Sequence, residues 1–219
     1  MLESYPAVYR DAHGVIETVI TNDGKTLRMS RGALEFEGTD FDAFELSRPV
    51  TLPARFRFSG DALCACTLEF EMLVVLVAEA KESPATLRAH LTLGQARGDR
   101  GGIDKEVLKL SLHAEGLQLE HSRNTSGSFE EELLSLKERL PSGVSFKNCF
   151  GCDLSDYSPA GNGLFGSLAC FRENKAAYRS VITKHQLFDL LAVGTSHTVQ
   201  ETFVCTEFQL RQPRRGYRG

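Results

Sequence analysis

Residues 64–72 place an apolar side chain at every second position, and from residue 66 onward apolar and polar side chains alternate; this pattern constrains the fold more than any other stretch of the chain. Two cysteines, a leucine, a phenylalanine and a methionine share one face, while a threonine and two glutamates share the other. A period of two is typical of a half-buried strand in an antiparallel sheet. We therefore predict a mainly β fold in which Cys64 and Cys66 lie in the core rather than bind a ligand.

Further strand-forming segments surround this stretch and are separated by turn residues. The sequence Asn22-Asp23-Gly24 lies between two of them, and Asp-Gly in that position is a strong local signal for a hairpin. The other segments that we predict as strands before residue 125 are 15–21, 26–30, 33–37, 55–59, 87–93, 108–112 and 117–120.

One segment, residues 128–140, has the signals of a helix. Ser128 followed by Glu131 forms a capping box, three consecutive glutamates suit the positive end of the helix dipole, and Pro141 ends the pattern. Phe129, Leu133, Leu136 and Leu140 recur at helical spacing, so this stripe should lie against the sheet. We expect the glutamates to form a solvated first turn.

The chain has 219 residues, which is long enough to bury a core without covalent links. We predict one β-rich domain over residues 1–219, with an antiparallel sheet region at 1–125 and a helix plus a cysteine-containing β region at 126–219. The expected architecture is an antiparallel β-sandwich or a curled sheet with the helix packed on one side. In the second region, strands are predicted at 164–172, 178–183, 187–193 and 198–210.

Four cysteines in the last third of the chain carry the most recognisable chemistry of the sequence. Cys149 and Cys152 form a Cys-x-x-Cys pair, and Cys170 and Cys205 follow singly. Tetrahedral zinc accepts four thiolates, so one interpretation is a structural zinc site with four cysteine ligands. Reduced buried thiols, a redox pair or disulfide, and an iron-sulfur cluster remain open as alternatives. A redox pair usually begins a helix, whereas turn-forming residues follow this pair at 153–163.

An enzyme is the alternative to a binding role, with His185, His197 or Glu201 completing a thiol or zinc site near the cysteines. The residue before Cys149 is Asn148, so the sequence lacks the Pro-Cys-x-x-Cys that the deaminase pattern requires, and it also lacks the Gly-x-Ser-x-Gly elbow of serine hydrolases. We therefore expect a non-enzymatic interaction protein with an unidentified protein partner. The expected contact surface is the loop at 153–163, displayed beside the metal. An immunity or accessory protein is one concrete form.

Charge and composition limit the expected partners and cellular compartment of the protein. The formal net charge of −4 provides no field that would attract nucleic acid, and the longest apolar run is too short to cross a bilayer. The N-terminal residues do not resemble a secretory signal, so we expect a reducing cytoplasm, where cysteines are usually free or metal-bound. The arginine-rich stretch 211–219 could contact phosphates, but a solvated tail is the preferred interpretation.

The motifs NCFGC at 148–152, SDYSP at 155–159, CFR at 170–172 and VQET at 199–202 resemble those of an uncharacterised bacterial family of unknown function. The resemblance covers mainly residues 146–219. It implies a bacterial cytoplasmic origin and carries over no catalytic residue.

Overall fold

The computed structural model describes residues 2–31, 34–48, 55–98, 101–121, 127–194 and 196–212, so most of the arginine-rich stretch lies outside the described residues. Strands dominate the structure, which confirms the prediction of a mainly β fold. The strands are β1 (Glu3–Asp11), β2 (Gly14–Asn22), β3 (Leu27–Arg31), β4 (Leu34–Gly38), β5 (Glu45–Leu46), β6 (Arg57–Ser59), β7 (Ala62–Cys64), β8 (Cys66–Ala78), β9 (Lys81–Leu93), β10 (Glu106–Ala114), β11 (Leu117–Leu119), β12 (Val144–Phe146), β13 (Ser155–Tyr157), β14 (Leu168–Cys170) and β15 (His197–Val199). The helices are α1 (Phe129–Arg139), α2 (Lys175–Arg179) and α3 (Lys184–Ala192), and a 3-10 turn (Arg172–Asn174) precedes α2.

Within these ranges, twelve strands form one antiparallel sheet. Eleven follow the order β11-β10-β9-β8-β1-β2-β3-β4-β5-β7-β6, and the twelfth, β12, pairs with the C-terminal end of β8. β7 and β8 are separated in this order by β1 to β5, yet only Ala65 connects them along the chain. The β7 end of the sheet must therefore return to the start of β8. The sheet is curled, which is one of the two architectures that the sequence predicted.

The core lies inside this curl and is rich in aromatic rings. Phe56 contacts Tyr9 of β1 at 5.4 Å and Phe36 of β4 at 5.1 Å between ring centroids, although these strands are three places apart in the sheet. Phe41 stacks on Phe70 of β8 at 4.2 Å. Each ring pair contributes about 0.5–1.5 kcal/mol beyond the apolar area that it buries.

The alternating segment 64–72 is divided between two strands, because Ala65 has a φ of 54° and interrupts the extended backbone. Cys64 and Cys66 are 1 % and 5 % exposed, so their assignment to the core is confirmed. Burial raises the pKa of the Cys66 thiol to about 12, which keeps it protonated and unreactive.

Helix α1 confirms the predicted helix, with Ser128 as N-cap accepting a hydrogen bond from the Glu131 N–H. All four residues of its apolar stripe are buried. The expectation of a solvated first turn is wrong for Glu132, which is 2 % exposed and accepts a hydrogen bond of 2.8 Å from the Leu110 N–H of β10. The helix thus covers an edge of the sheet whose backbone groups would otherwise be unpaired.

The C-terminal region contains helices where the sequence predicted strands. Segments 178–183 and 187–193 fall in α2 and α3 and the turn between them, while 164–172 and 198–210 contain only the short strands β14 and β15. Thr183 and Gln186 form a complete capping box at the start of α3. Leu187 and Leu190 are buried at helical spacing. This spacing is hard to recognise in the sequence, because the segment contains apolar residues at other positions too.

The segment 153–163 is also less exposed than expected. Residues 153–157 are buried and include β13, and exposure resumes only over 160–163. β13, β14 and β15 form a separate three-stranded antiparallel sheet, in which Cys170 is the partner of Ser155 on one side and of His197 on the other.

The hairpin between β8 and β9 provides a direct stability test. Thirteen pairs join these strands, and their two-residue turn consists of Glu79 and Ala80 with φ values of 47° and 67°. Two positive φ values are typical of a type I′ turn, which favours Asn-Gly. We expect the double substitution Glu79→Asn/Ala80→Gly to increase the free energy of unfolding by about 1–2 kcal/mol in urea denaturation.

Glu79→Gln is the matched control, since it retains an unbranched side chain with the same left-handed penalty. A gain in the control equal to that of the double variant would show that the turn conformation is not the cause.

Candidate metal centre

The Cys149–Cys152 pair lies on a tight turn whose shape requires glycine at position 151. The Cys152 N–H donates to the Cys149 carbonyl at 3.2 Å, and the Gly151 N–H donates to the carbonyl and side-chain oxygens of Asn148. A Cβ at Gly151 would lie 2.1 Å from the Phe146 carbonyl oxygen, a clash with backbone that a side chain could not relieve. The turn is therefore a tightly packed structure and not the start of a helix.

Ser155 ties this turn to the small sheet. Its hydroxyl donates to the carbonyls of Cys149 and Cys152, the second at 3.3 Å. Residues opposite each other in antiparallel strands point to the same face, so Ser155 and its partner Cys170 share the face that carries the turn. The register thereby brings the third cysteine next to the first two.

The C-terminal segment 203–210 is hydrogen-bonded to both ends of the cysteine turn, and this segment contains Cys205. The Cys149 N–H donates to the Phe203 carbonyl at 2.8 Å, the Asp153 N–H donates to the Gln209 carbonyl at 2.7 Å, and Cys152 bridges to Leu210. Since residues 203 and 209 are fastened on opposite sides of the turn, the chain between them passes over it. Cys205 lies on that crossing and is partly exposed.

The four thiols lie close enough for their charged forms to repel one another. Burial raises the pKa of the Cys149 thiol, and the sulfurs of Cys152, Cys170 and Cys205 raise it further. The pKa of Cys170 is raised by burial and by Cys152 and Cys205, against the opposing effect of a hydrogen bond from the Arg172 N–H. The three cysteines predicted to accompany Cys149 are thus all in its neighbourhood.

Two of the sulfurs accept backbone N–H groups from the residue two positions later in the chain. The Leu154 N–H donates to Cys152 Sγ at 3.5 Å, and the Arg172 N–H donates to Cys170. Such bonds favour the thiolate, the form that binds metal. Among the described residues, no three His, Cys, Asp or Glu side chains already stand in an arrangement that could hold a metal ion. Ligation would require the four sulfurs to draw together.

The alternative catalytic residues lie in three different environments. His185 is on the surface of α3, where its side chain is 87 % exposed and pairs with Asp189. His197 is on the edge strand β15 and contacts Glu173, with 3.1 Å between Nε2 and Oε1. Glu201 is fully buried, and it accepts hydrogen bonds from the Tyr157 hydroxyl at 3.1 Å and the Gly166 N–H at 2.7 Å.

These environments disfavour a cysteine nucleophile at Cys149. A nucleophilic cysteine needs a lowered thiol pKa and a base within hydrogen-bonding reach, whereas burial raises the pKa of this thiol. Burial also raises the pKa of Glu201 to about 7, and both its oxygens hold structural hydrogen bonds.

The VQET motif links the cysteine region to the large sheet. Gln200 exchanges two hydrogen bonds with Asn22 at the end of β2, at 2.7 and 3.1 Å, and the Asn22 amide also donates to the Tyr5 hydroxyl at 2.7 Å. The Phe150 N–H donates to the Glu201 carbonyl. Sequence reasoning missed Asn22 and Gln200 because their 178-residue separation leaves no local signal.

A second polar feature crosses the outer face of the large sheet. A depression of about 850 Å³ is lined by outward-facing side chains from β2, β1, β8, β9 and β10. Paired charges lie within it: Arg88 Nε is 2.7 Å from Glu71 Oε1, and His90 Nδ1 is 3.6 Å from Glu69 Oε1. Lys109 also lines it, as does Glu17. Such a partly solvated mixture of charges suits recognition of a polar partner.

These features define a class: a mainly β protein with a long curled antiparallel sheet and a cysteine-bearing C-terminal segment. A profile described as a family of unknown function (DUF6304) matches residues 3–155, and the chain belongs to this family. Comparisons with curated proteins and with solved structures found no match.

The family match confirms that the chain resembles an uncharacterised family. It includes Cys149 and Cys152, and it ends before Cys170 and Cys205. The match lies mainly before the range 146–219 in which the resemblance was placed, so the motifs there and the bacterial origin stay predictions. In the described part of the chain, no helix combines the length and apolar character needed to span a bilayer.

A group of carboxylates near the cysteine region makes stability depend on pH. Burial and then the charge of Asp42 raise the pKa of Asp40 to about 8. The same two causes, together with a hydrogen bond from protonated Glu106 to Asp42, raise the pKa of Glu106 to about 7. Between the unfolded and folded pKa values the native state binds more protons than the unfolded chain, so stability falls as pH rises.

We expect the free energy of unfolding to decrease between pH 5 and pH 9, and Asp42→Asn to reduce this decrease by on the order of 1 kcal/mol after allowing for solvent screening at Glu106. Urea denaturation at several pH values measures both. Asp61→Asn removes an equal charge from an exposed turn and should leave the slope unchanged. Equal slopes in wild type and Asp42→Asn would contradict this assignment.

Proposed function

We propose that this chain is a non-enzymatic binding protein whose C-terminal segment is held by a structural zinc ion at Cys149, Cys152, Cys170 and Cys205. The observation that carries the proposal is the grouping of the four thiols around one turn, with backbone N–H groups directed at two of the sulfurs. Four sulfur donors without an open position are typical of structural zinc sites, not catalytic ones.

Zinc would convert a mutually repulsive group of thiols into a cross-link. Without a metal, thiolates in this buried place repel each other and lose their hydration, so the thiols stay protonated. A divalent cation compensates both effects and joins the turn at 149–152, strand β14 and the segment that carries Cys205. Because the site is not formed in the unfolded chain, the free energy of metal binding adds to the stability of the fold.

The binding surface in this proposal is the outer face of the large sheet. The depression of about 850 Å³ combines carboxylates, a guanidinium, an ammonium and imidazole groups over five strands. The paired backbones of those strands hold these side chains at fixed spacing, which favours recognition of a complementary protein surface. Residues 153–157 of the loop at 153–163 are buried, so this part of the loop cannot form the contact surface.

The metal part of the proposal predicts about one zinc per chain in protein purified without a histidine tag, measured by elemental mass spectrometry. Chelation should lower the midpoint of thermal unfolding, since zinc at 100 times its Kd stabilises the folded state by about 2.7 kcal/mol. Cys149→Ser should abolish stoichiometric zinc. Cys64→Ala is the matched control, because it removes another buried thiol and should retain the metal.

Substoichiometric zinc together with an unfolding midpoint that responds neither to zinc nor to chelator would refute the metal centre. Zinc retained in full by Cys149→Ser would refute the ligand assignment.

The binding part predicts that charge reversal in the depression removes a specific partner. Glu17→Lys/Glu69→Lys should abolish capture of a protein that immobilised wild type retains from extracts of its native host, and increasing salt should weaken that capture. Glu45→Lys/Glu138→Lys makes the same charge change at exposed sites outside the depression and should preserve it. Identical captured proteins for both double variants would contradict the assignment of this surface.

A further inference from the structure

We infer that Asn162 is a site of spontaneous deamidation, and that the product places a further carboxylate beside the buried carboxyl group of Asp40. This modification would occur in the exposed part of the loop between β13 and β14. It involves neither the proposed zinc centre nor the proposed binding surface.

Asn162 is the only asparagine of the chain that precedes a glycine. In an Asn-Gly pair, the backbone nitrogen of the glycine attacks the side-chain carbonyl carbon of the asparagine. Ammonia leaves as a five-membered succinimide ring closes, and water then opens the ring to give aspartate or isoaspartate. Glycine favours the attack, because no Cβ hinders the approach of its nitrogen and its backbone adopts many conformations.

The structure leaves both reacting groups available. Asn162 and Gly163 are exposed and lie outside the helices and strands. Within the described part of the chain, neither residue forms a hydrogen bond that ring closure would have to break. Asn22 and Asn148 differ, since both are buried and their side-chain oxygens accept hydrogen bonds. Deamidation should therefore be selective for Asn162.

The reacting pair lies against a group of carboxylates. A Cβ built on Gly163 would be 2.7 Å from Asp40 Oδ2, and the same oxygen accepts a hydrogen bond of 3.0 Å from the Phe165 N–H. Burial raises the pKa of Asp40 to about 8, and the charges of Asp42 and Glu201 raise it too. A new carboxylate at the residue before Gly163 adds to this repulsion.

The isoaspartate product also changes the backbone, because it lengthens the main chain of the loop by one methylene group. The chain is attached on both sides of the reacting pair. The Gly161 N–H donates to the Ser158 carbonyl at 3.1 Å, and the Leu164 carbonyl accepts a hydrogen bond of 2.8 Å from the Phe129 N–H. The added length must be accommodated between these two attachments.

Ageing of the purified full-length chain at mildly alkaline pH, followed by tryptic digestion and mass spectrometry, tests the site. Cleavage after Lys147 and Arg172 gives one peptide that contains both Asn148 and Asn162. We expect fragment ions to show aspartate and isoaspartate at Asn162 while Asn148 keeps its amide. Asn162→Gln is the matched control and should stay unmodified, because a glutamine would have to close a less favourable six-membered ring. Conversion of Asn162 no faster than that of Asn148 would overturn the site.

Asn162→Asp supplies the aspartate product in every molecule and tests its effect on Asp40. The new charge should raise the folded-state pKa of Asp40 further, so more stability is lost as pH rises. The urea midpoint should therefore fall more steeply between pH 5 and pH 9 in Asn162→Asp than in wild type, whereas Asn162→Gln should keep the wild-type slope. Equal slopes in the two variants would overturn the placement of the new charge beside Asp40.

Discussion

The single-residue connection at Ala65 is the constraint on which the rest of the structure depends. β7 and β8 are adjacent in the chain and far apart in the sheet, so the sheet must curl until its β7 end reaches β8. The curl encloses the hydrophobic core, in which aromatic rings from distant strands contact one another. It also turns the other face outward, where charged side chains line the depression. A left-handed residue at this connection costs about 1–2 kcal/mol, which the buried core outweighs.

The C-terminal segment depends on the large sheet for its position. Gln200 pairs with Asn22, and Glu201 accepts hydrogen bonds from Tyr157 and Gly166. A displacement of the segment would break these hydrogen bonds and leave the buried polar groups without partners. An unpaired buried polar group costs about 1–3 kcal/mol. These contacts hold residue 203 against Cys149, and that attachment brings Cys205 over the turn. The thiols thus come together through hydrogen bonds that do not involve sulfur.

The chemical character of the cysteine region follows from burial. In an apolar surrounding a thiol stays protonated, which disfavours Cys149 as a nucleophile. In the proposed zinc site, the metal ion would stabilise several thiolates together. The two N–H groups directed at sulfur suit that state better than neutral thiols, because hydrogen bonds to a charged acceptor are stronger. Burial also raises the pKa values of the Asp40 and Glu106 carboxyl groups. At these two residues a bound proton removes the charge that burial disfavours.

The sequence by itself determined the features that have local causes. Period-two alternation predicted the central strands and the core positions of Cys64 and Cys66, Asp-Gly predicted the β2–β3 hairpin, and capping with an apolar stripe predicted α1. It failed in the C-terminal region, where 187–193 is rich in apolar residues that suit either a strand or a helix, and where Glu132 is buried by a contact with a distant strand. Only the tertiary structure decided the curl at Ala65, the pairing of Asn22 with Gln200 and the meeting of Cys205 with Cys149, because each joins residues whose separation along the chain carries no periodic or local signal.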